Sequence, residues 1–293
     1  MQAAAQRIQR SERPSITIRQ PIAQFASCSS RFWFDNNPTA THFMNALSCS
    51  FPGGERFFVR SVNAYRDEVQ DEQLKRDIRL FSAQEAIHGK AHEAFNRWLD
   101  SQGLPATQCE NLLEWYLELH EPFFHKSYRL AYTAGLEHLT AVLGRAILGT
   151  PGFVDHMTDE VRLLWTWHAL EEIEHKSVAF DVQNIAKVGY FTRTVALYIA
   201  LIGLILTTSA AWLLFLIKDR QLFDFRSHQK FFQTFIASGF FAAILRGTLE
   251  YFRKDFHPWQ IDDRALITHA EAWLAQHVNS NHPPLTTDNV AHW

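Results

Sequence analysis

The stretch His168-Ala-Leu-Glu-Glu-Ile-Glu-His175 decides how this chain is read, because it extends a spacing already present at Glu85-Ala-Ile-His88. At about 100° per residue, His168, Glu172 and His175 fall within roughly 60° of one another around a helix. Three metal-ligating side chains then share one face. Glu85, His88 and His92 do the same, since offsets of three and seven residues return to one stripe.

Two helices with Glu-x-x-His pairs make half of a carboxylate-bridged dimetal bundle; the other half is a single inward Glu on each of two more helices. Glu55 follows Phe51-Pro-Gly-Gly, where Pro and Gly mark a helix start and the aromatic run after it marks burial. Glu137 stands in the largely apolar run from Leu130 to Leu143, where an ionised carboxylate demands a partner. A single ExxH arises by chance in a chain of this length, so the ordered set Glu55, Glu85/His88, Glu137, Glu172/His175 carries the argument.

Composition adds context. With 293 residues the chain can bury a sizeable core, and a net charge of −3 from 28 basic and 31 acidic residues gives no sign of a nucleic-acid partner. Fifteen histidines, several inside helical patterns, suit metal ligation. Cys28, Cys49 and Cys109 are odd in number and lack CxxC spacing, which argues against a disulfide framework or zinc ribbon and for a reducing compartment. There is no GxSxG elbow, P-loop or GxGxxG. His120, Glu121 and His125 lie close together, but Pro122 interrupts the helix between them.

Helical periodicity dominates, predicting helices over roughly residues 39–50, 54–71, 73–101, 108–121, 124–148 and 158–188. The expected organisation is a lead-in over 1–38, partly flexible; a dimetal helical bundle over 39–190; an apolar segment over 191–250; and an amphipathic helix with a flexible tail over 251–293. No cleaved signal peptide is read in Met1 to Ser30. Val195 to Ile217 carries no charge and is long enough to cross a hydrocarbon core of about 30 Å. The competing reading is a buried helix of a large soluble protein. Phe231 to Leu245 is shorter, and would return as a second span, lie in the interface or dip partway. Lys218, Arg220, Arg226 and Lys230 prefer the cytoplasmic side, as do Arg246, Arg253 and Lys254, which conflicts with a full hairpin whose bundle is also cytoplasmic; a membrane-associated hairpin that is re-entrant or monotopic reconciles these preferences. His257 in Phe256-His-Pro-Trp259 is read as a packed loop residue.

At these motifs the chain resembles the ferritin-like diiron proteins, and more narrowly a bacterial family of predicted metal-dependent hydrolases. The matching pieces are Phe51-Pro-Gly-Gly-Glu-Arg-Phe-Phe58, Gln84-Glu-Ala-Ile-His-Gly-Lys-Ala-His92, Gly135-Leu-Glu-His138, Trp167 to Asp181 and Phe256-His-Pro-Trp259. The HxxxExxH form is also similar to diiron enzymes of the p-aminobenzoate N-oxygenase type, which use an additional His. The resemblance implies an all-α fold, a ferritin-like four-helix bundle with extra helices and a membrane-associated apolar segment. It implies Glu55, Glu85, His88, Glu137, His168, Glu172 and His175 as ligands. Glu171 is the alternative to Glu172 or a group behind the ligands; His92 is an eighth ligand or such a supporting group; Tyr132 approaches the site or is an ordinary core tyrosine.

Two ions are expected, iron first, with manganese or a mixed Fe/Mn pair as alternatives and zinc if the protein is a hydrolase. The leading expectation is O₂-dependent oxidation of a hydrophobic or lipid-like substrate at a membrane, with an electron-donor protein as partner. The alternatives are a metal-dependent hydrolase and a non-catalytic metal-binding membrane protein. Oligomeric state is open.

Overall fold

The computed structural model describes residues 8–20, 25 and 30–277. The expectations for Cys28, for residues 1–7, 21–24 and 26–29 of the lead-in and for the tail from Asn279 to Trp293 lie outside the described residues, as does the side chain of His120. Eleven α-helices are named here: α1 Pro38–Ser48, α2 Phe51–Asn63, α3 Glu72–Ser101, α4 Ala106–His120, α5 Lys126–Gly149, α6 Asp159–His175, α7 Val178–Ile185, α8 Tyr190–Lys218, α9 Phe225–Phe231, α10 Phe240–Glu250 and α11 Arg264–His277. The protein is all-helical; the one extended pairing among the described residues is an isolated bridge between Phe34 and Met157.

Local chemistry sets several of these starts. The Asn37 side chain accepts from the Ala40 N–H ahead of Pro38, and the Asp71 side chain accepts from the Leu74 N–H to open α3. Helices α2, α3, α5 and α6 form the bundle: α2 packs on α3, α5 packs on α6, and α2–α5 and α3–α6 contacts close the square. Helix α8 lies outside it against α5 and α1, and α10 also covers α5.

Two expected helices end early. The one predicted to run to residue 71 stops at Asn63, and a tight turn at Arg66–Glu68 follows, which carries both Tyr65 and Val69 into the core. The one predicted over 158–188 breaks at Lys176 and Ser177. There Lys176 Nζ donates to Asp263 and to the Ile261 carbonyl, while Ser177 Oγ accepts from Trp259 Nε1 and Arg13, so tertiary partners hold the break.

Helix α5 is clamped on two sides by glycine. A Cβ on Gly144 would stand 2.8 Å from the Ala169 carbonyl oxygen of α6, and one on Gly135 would stand 3.1 Å from the Leu197 Cα of α8. Backbone cannot retreat as a flexible side chain can. Gly144→Ala is therefore expected to destabilise the fold by about 1–3 kcal/mol, seen as a lower melting temperature, with α5 and α6 forced apart.

Among the described residues, the apolar segment after residue 190 contains one helix, α8, long and apolar enough to cross a membrane. Only 28 % of its most apolar window is buried, whereas a core helix would be largely covered. Helices α9 and α10 join through a π-turn over Phe232–Ala237 and bend by 44° at Gly239, whose φ of +87° favours glycine. Taken together that bent pair is also apolar enough for a span or a re-entrant loop.

Candidate metal centre

The four bundle helices deliver seven buried side chains to one interior point. Glu55 comes from α2, Glu85 and His88 from α3, Glu137 from α5, and His168, Glu172 and His175 from α6. They fall into two groups, each with donor atoms within 4.8 Å of one another: Glu55, His88 and His168; and Glu85, Glu137, Glu172 and His175. Glu172 faces both. Its Oε1 lies 3.0 Å from His168 Nε2 and 3.5 Å from His88 Nδ1, and its Oε2 lies 3.5 Å from His175 Nε2.

This concentration of acidic and imidazole groups could hold a cation. Both carboxylate oxygens of Glu55, Glu85 and Glu137, together with Glu172 Oε2, His88 Nδ1 and His175 Nε2, are buried without a hydrogen-bond partner. Leaving one such group unsatisfied costs about 1–3 kcal/mol, and more if it is charged, so a set converging on one point fits a pair of ions.

The outward nitrogens of the histidines are, by contrast, all engaged. His88 Nε2 lies 2.9 Å from Glu171 Oε2, His175 Nδ1 lies 2.9 Å from Gln84 Oε1, and His168 Nδ1 lies 2.6 Å from His92 Nε2. Such partners fix ring orientation and tautomer and leave the other nitrogen for metal. Glu171 thus stands behind His88, and His92 stands behind His168. Behind His92, its Nδ1 meets Ser48 Oγ at 2.8 Å; Ser48 Oγ donates to Asn96 Oδ1, and Asn96 Nδ2 donates to Glu110. With His168 holding metal through Nε2, every proton in this chain has a donor and an acceptor.

A cation supports the other two histidines. Arg19 donates through its backbone N–H to Glu171 and through its guanidinium to both oxygens of Glu174, and Gln84 Nε2 donates to Glu174 and to the Thr17 carbonyl. The motifs do not announce Arg19, Ser48 or Asn96, and they include Gln84 without assigning it a role. The available signal is Glu171 and Glu174 on an otherwise buried helix, which require a partner from elsewhere in the chain.

Tyr132 is a correction. It does not join the site: five residues before Glu137 it points about 140° away around α5, and it lines an apolar cavity against α8, with its hydroxyl 3.4 Å from where a Gly203 Cβ would stand. His257 is a buried loop residue, its Nε2 3.0 Å from Asp181 and its Nδ1 accepting from the Trp259 N–H. His125 caps α5 through Ser127.

Burial and the nearby Glu85 push the Glu137 carboxyl up to about 8. Burial and Glu85 likewise hold Glu55 well above the usual carboxylate range. For Glu172 burial opposes ionisation, but His175 and the hydrogen bond from His168 outweigh it, and its carboxyl is lowered. Burial and His88 pull His168 down to about 4. In the metal-free protein Glu137 accordingly keeps its proton at neutral pH and must release it when metal binds. Affinity is expected to rise with pH, Glu137 contributing as much as about tenfold per unit up to about 8, and Glu55, His88 and His175, which are also held above their ordinary values, adding protons of their own. Titration calorimetry at several pH values checks this, and Glu137→Gln should remove one proton from the slope.

Four helices, two adjoining groups of carboxylates and histidines, and histidines backed by fixed partners make a helical bundle whose donor set could hold two metal ions. The chain belongs to the family of predicted metal-dependent hydrolases, whose match runs over residues 17–262. No curated protein and no solved structure matches it.

Proposed function

We propose that the protein is a dinuclear metal-dependent hydrolase acting on an ester of a hydrophobic molecule at a membrane surface. The observation that carries the reading is Glu172, which faces both donor groups and so suits two ions held side by side. Bound there, two divalent ions supply Lewis acidity towards a carbonyl oxygen and acidify a water. In the reaction a water oxygen bonds to the acyl carbon, the ester C–O bond breaks, and the water's proton ends on the departing alcohol.

The chain's own groups hold and seclude that chemistry. Phe51, at ring distances of 4.6 Å from His168 and 4.7 Å from His92, and Trp167, at 4.8 Å from His88, exclude bulk water from the donor set. His92 stays neutral, since burial and the adjacent His168 hold it well below its ordinary value, and it serves as the acceptor that orients His168. Membrane association is supported by the exposed apolar surface of α8; the basic residues after it prefer the cytoplasmic side, and a monotopic or re-entrant hairpin, which does not cross, keeps the bundle on that side as well.

A second reading has its own support. A donor set of four carboxylates and three imidazoles, without thiolate, suits iron or manganese, and the same site would then serve O₂-dependent oxidation fed by an electron-donor protein. The test is one preparation divided in two. Zinc- or manganese-loaded protein should cleave a long-chain nitrophenyl ester without O₂; failure there, with O₂-dependent spectral change in reduced iron-loaded protein, would replace hydrolysis by oxidation.

A further inference from the structure

An apolar cavity of about 370 Å³ lies between α2, α5 and α8, a size within the range of small-molecule pockets. Leu139, Leu143, Leu201 and Leu204 form much of its wall, and no charged side chain lines it. At its inner end Phe51, Thr140 and Leu143 also wall a small space bounded by His168 and Glu172, so one layer of side chains separates the cavity from the metal ligands.

At its outer end the cavity shares Ser50, Leu113, Tyr116, Gly203 and Thr207 with a groove between α4 and α8. The rims of that groove are apolar and bare: Leu112 and Trp115 on α4 are 65 % and 58 % exposed, and Leu206 on α8 is 64 % exposed. Side chains of this kind beside the most apolar helix of the chain are suited to lipid. One polar group inside is unsatisfied: Thr208 Oγ1 is buried, lines the cavity and has no hydrogen-bond partner.

We infer that this cavity is the substrate chamber, that it takes a single long aliphatic chain bearing an acyl ester, and that the chain enters sideways from the bilayer through the gap between α4 and α8. The ester end reaches the layer formed by Phe51 and Thr140, and the hydrocarbon extends past Leu139 and Leu204 to the groove. An unpartnered hydroxyl at Thr208, in a mostly apolar chamber that Thr140 and Tyr132 also line, suits an amphiphile with an oxygen-bearing group better than a pure hydrocarbon. The ester at the inner end rests on the hydrolytic reading; the chamber, its occupant chain and its mouth do not.

The experiment uses metal-free full-length protein in lipid nanodiscs and a fluorescent polyene fatty acid as probe. Saturable binding at one site is expected, with Leu139→Trp weakening it by about tenfold or more because the indole fills the chamber. Leu113→Trp at the mouth should slow association more than it changes affinity. Equal binding to wild type and both variants, each melting as a folded protein, would overturn the inference. Metal content measured after the same samples are incubated with excess zinc or manganese and dialysed separates the two claims: probe binding without metal uptake counts against the dimetal function alone, and metal uptake without saturable probe binding counts against the chamber alone.

Discussion

Glu172→Ala is expected to abolish binding of both ions, whereas Glu171→Ala, one residue away, should leave two sites of reduced affinity. The difference lies in direction. Glu172 presents its oxygens to His88, His168 and His175 at 3.0–3.5 Å, so its loss removes a donor from the group of Glu85, Glu137 and His175 and the carboxylate that faces the histidines of the other. Glu171 turns outward to accept from Arg19 and to meet His88 Nε2. Removing a partner of that kind weakens metal binding by about 10–100-fold without removing a ligand. Metal analysis after dialysis against excess ion reads both variants, and two ions retained by Glu172→Ala at wild-type affinity would refute the shared role of this carboxylate.

The second large effect is expected at Arg19. Its guanidinium is paired with Glu174 and approaches Glu171, both fully buried, and it also meets the exposed Glu271. Arg19→Ala leaves two buried carboxylates without their cation. Breaking a buried pair in this way costs about 3–5 kcal/mol, which corresponds to a melting temperature lower by roughly 10 °C in a chain of this size. Because Glu171 holds His88 and Glu174 holds the Gln84 that orients His175, metal affinity should fall in parallel. Arg19→Lys keeps the charge but not the fork and should fall between. A variant that melts with wild type would show that Glu171 and Glu174 need no cation from this segment.

These two positions also mark where sequence reading succeeds and where it stops. Glu172 is legible because a helix returns a side chain to the same face every three or four residues, so HxxxExxH and ExxH state their geometry locally. Glu55 and Glu137 are legible because carboxylates in apolar helices stand out. The spacing favours Glu172 over Glu171, but what Glu171 does instead is not legible, since its partners Arg19 and His88 come from other segments of the chain. Arg19 is hidden for a different reason: it lies 152 residues from Glu171, in a lead-in without helical period, and nothing local announces such a contact. The break after His175 is equally silent, because the residues that hold it, Asp263, Ile261 and Trp259, come from the far end of the chain.

Helix α5 carries Glu137 on one face and Leu136, Leu139 and Leu143 on the other, with Gly135 and Gly144 holding it tight against α8 and α6. The two faces then answer to separate physical constraints. Residues on the cavity side can drift in bulk and shape across generations while the carboxylate one turn away stays fixed, whereas a change that shifts the helix axis is felt by both. A lineage built on this scaffold can diversify what it accepts without relearning how to hold its ions.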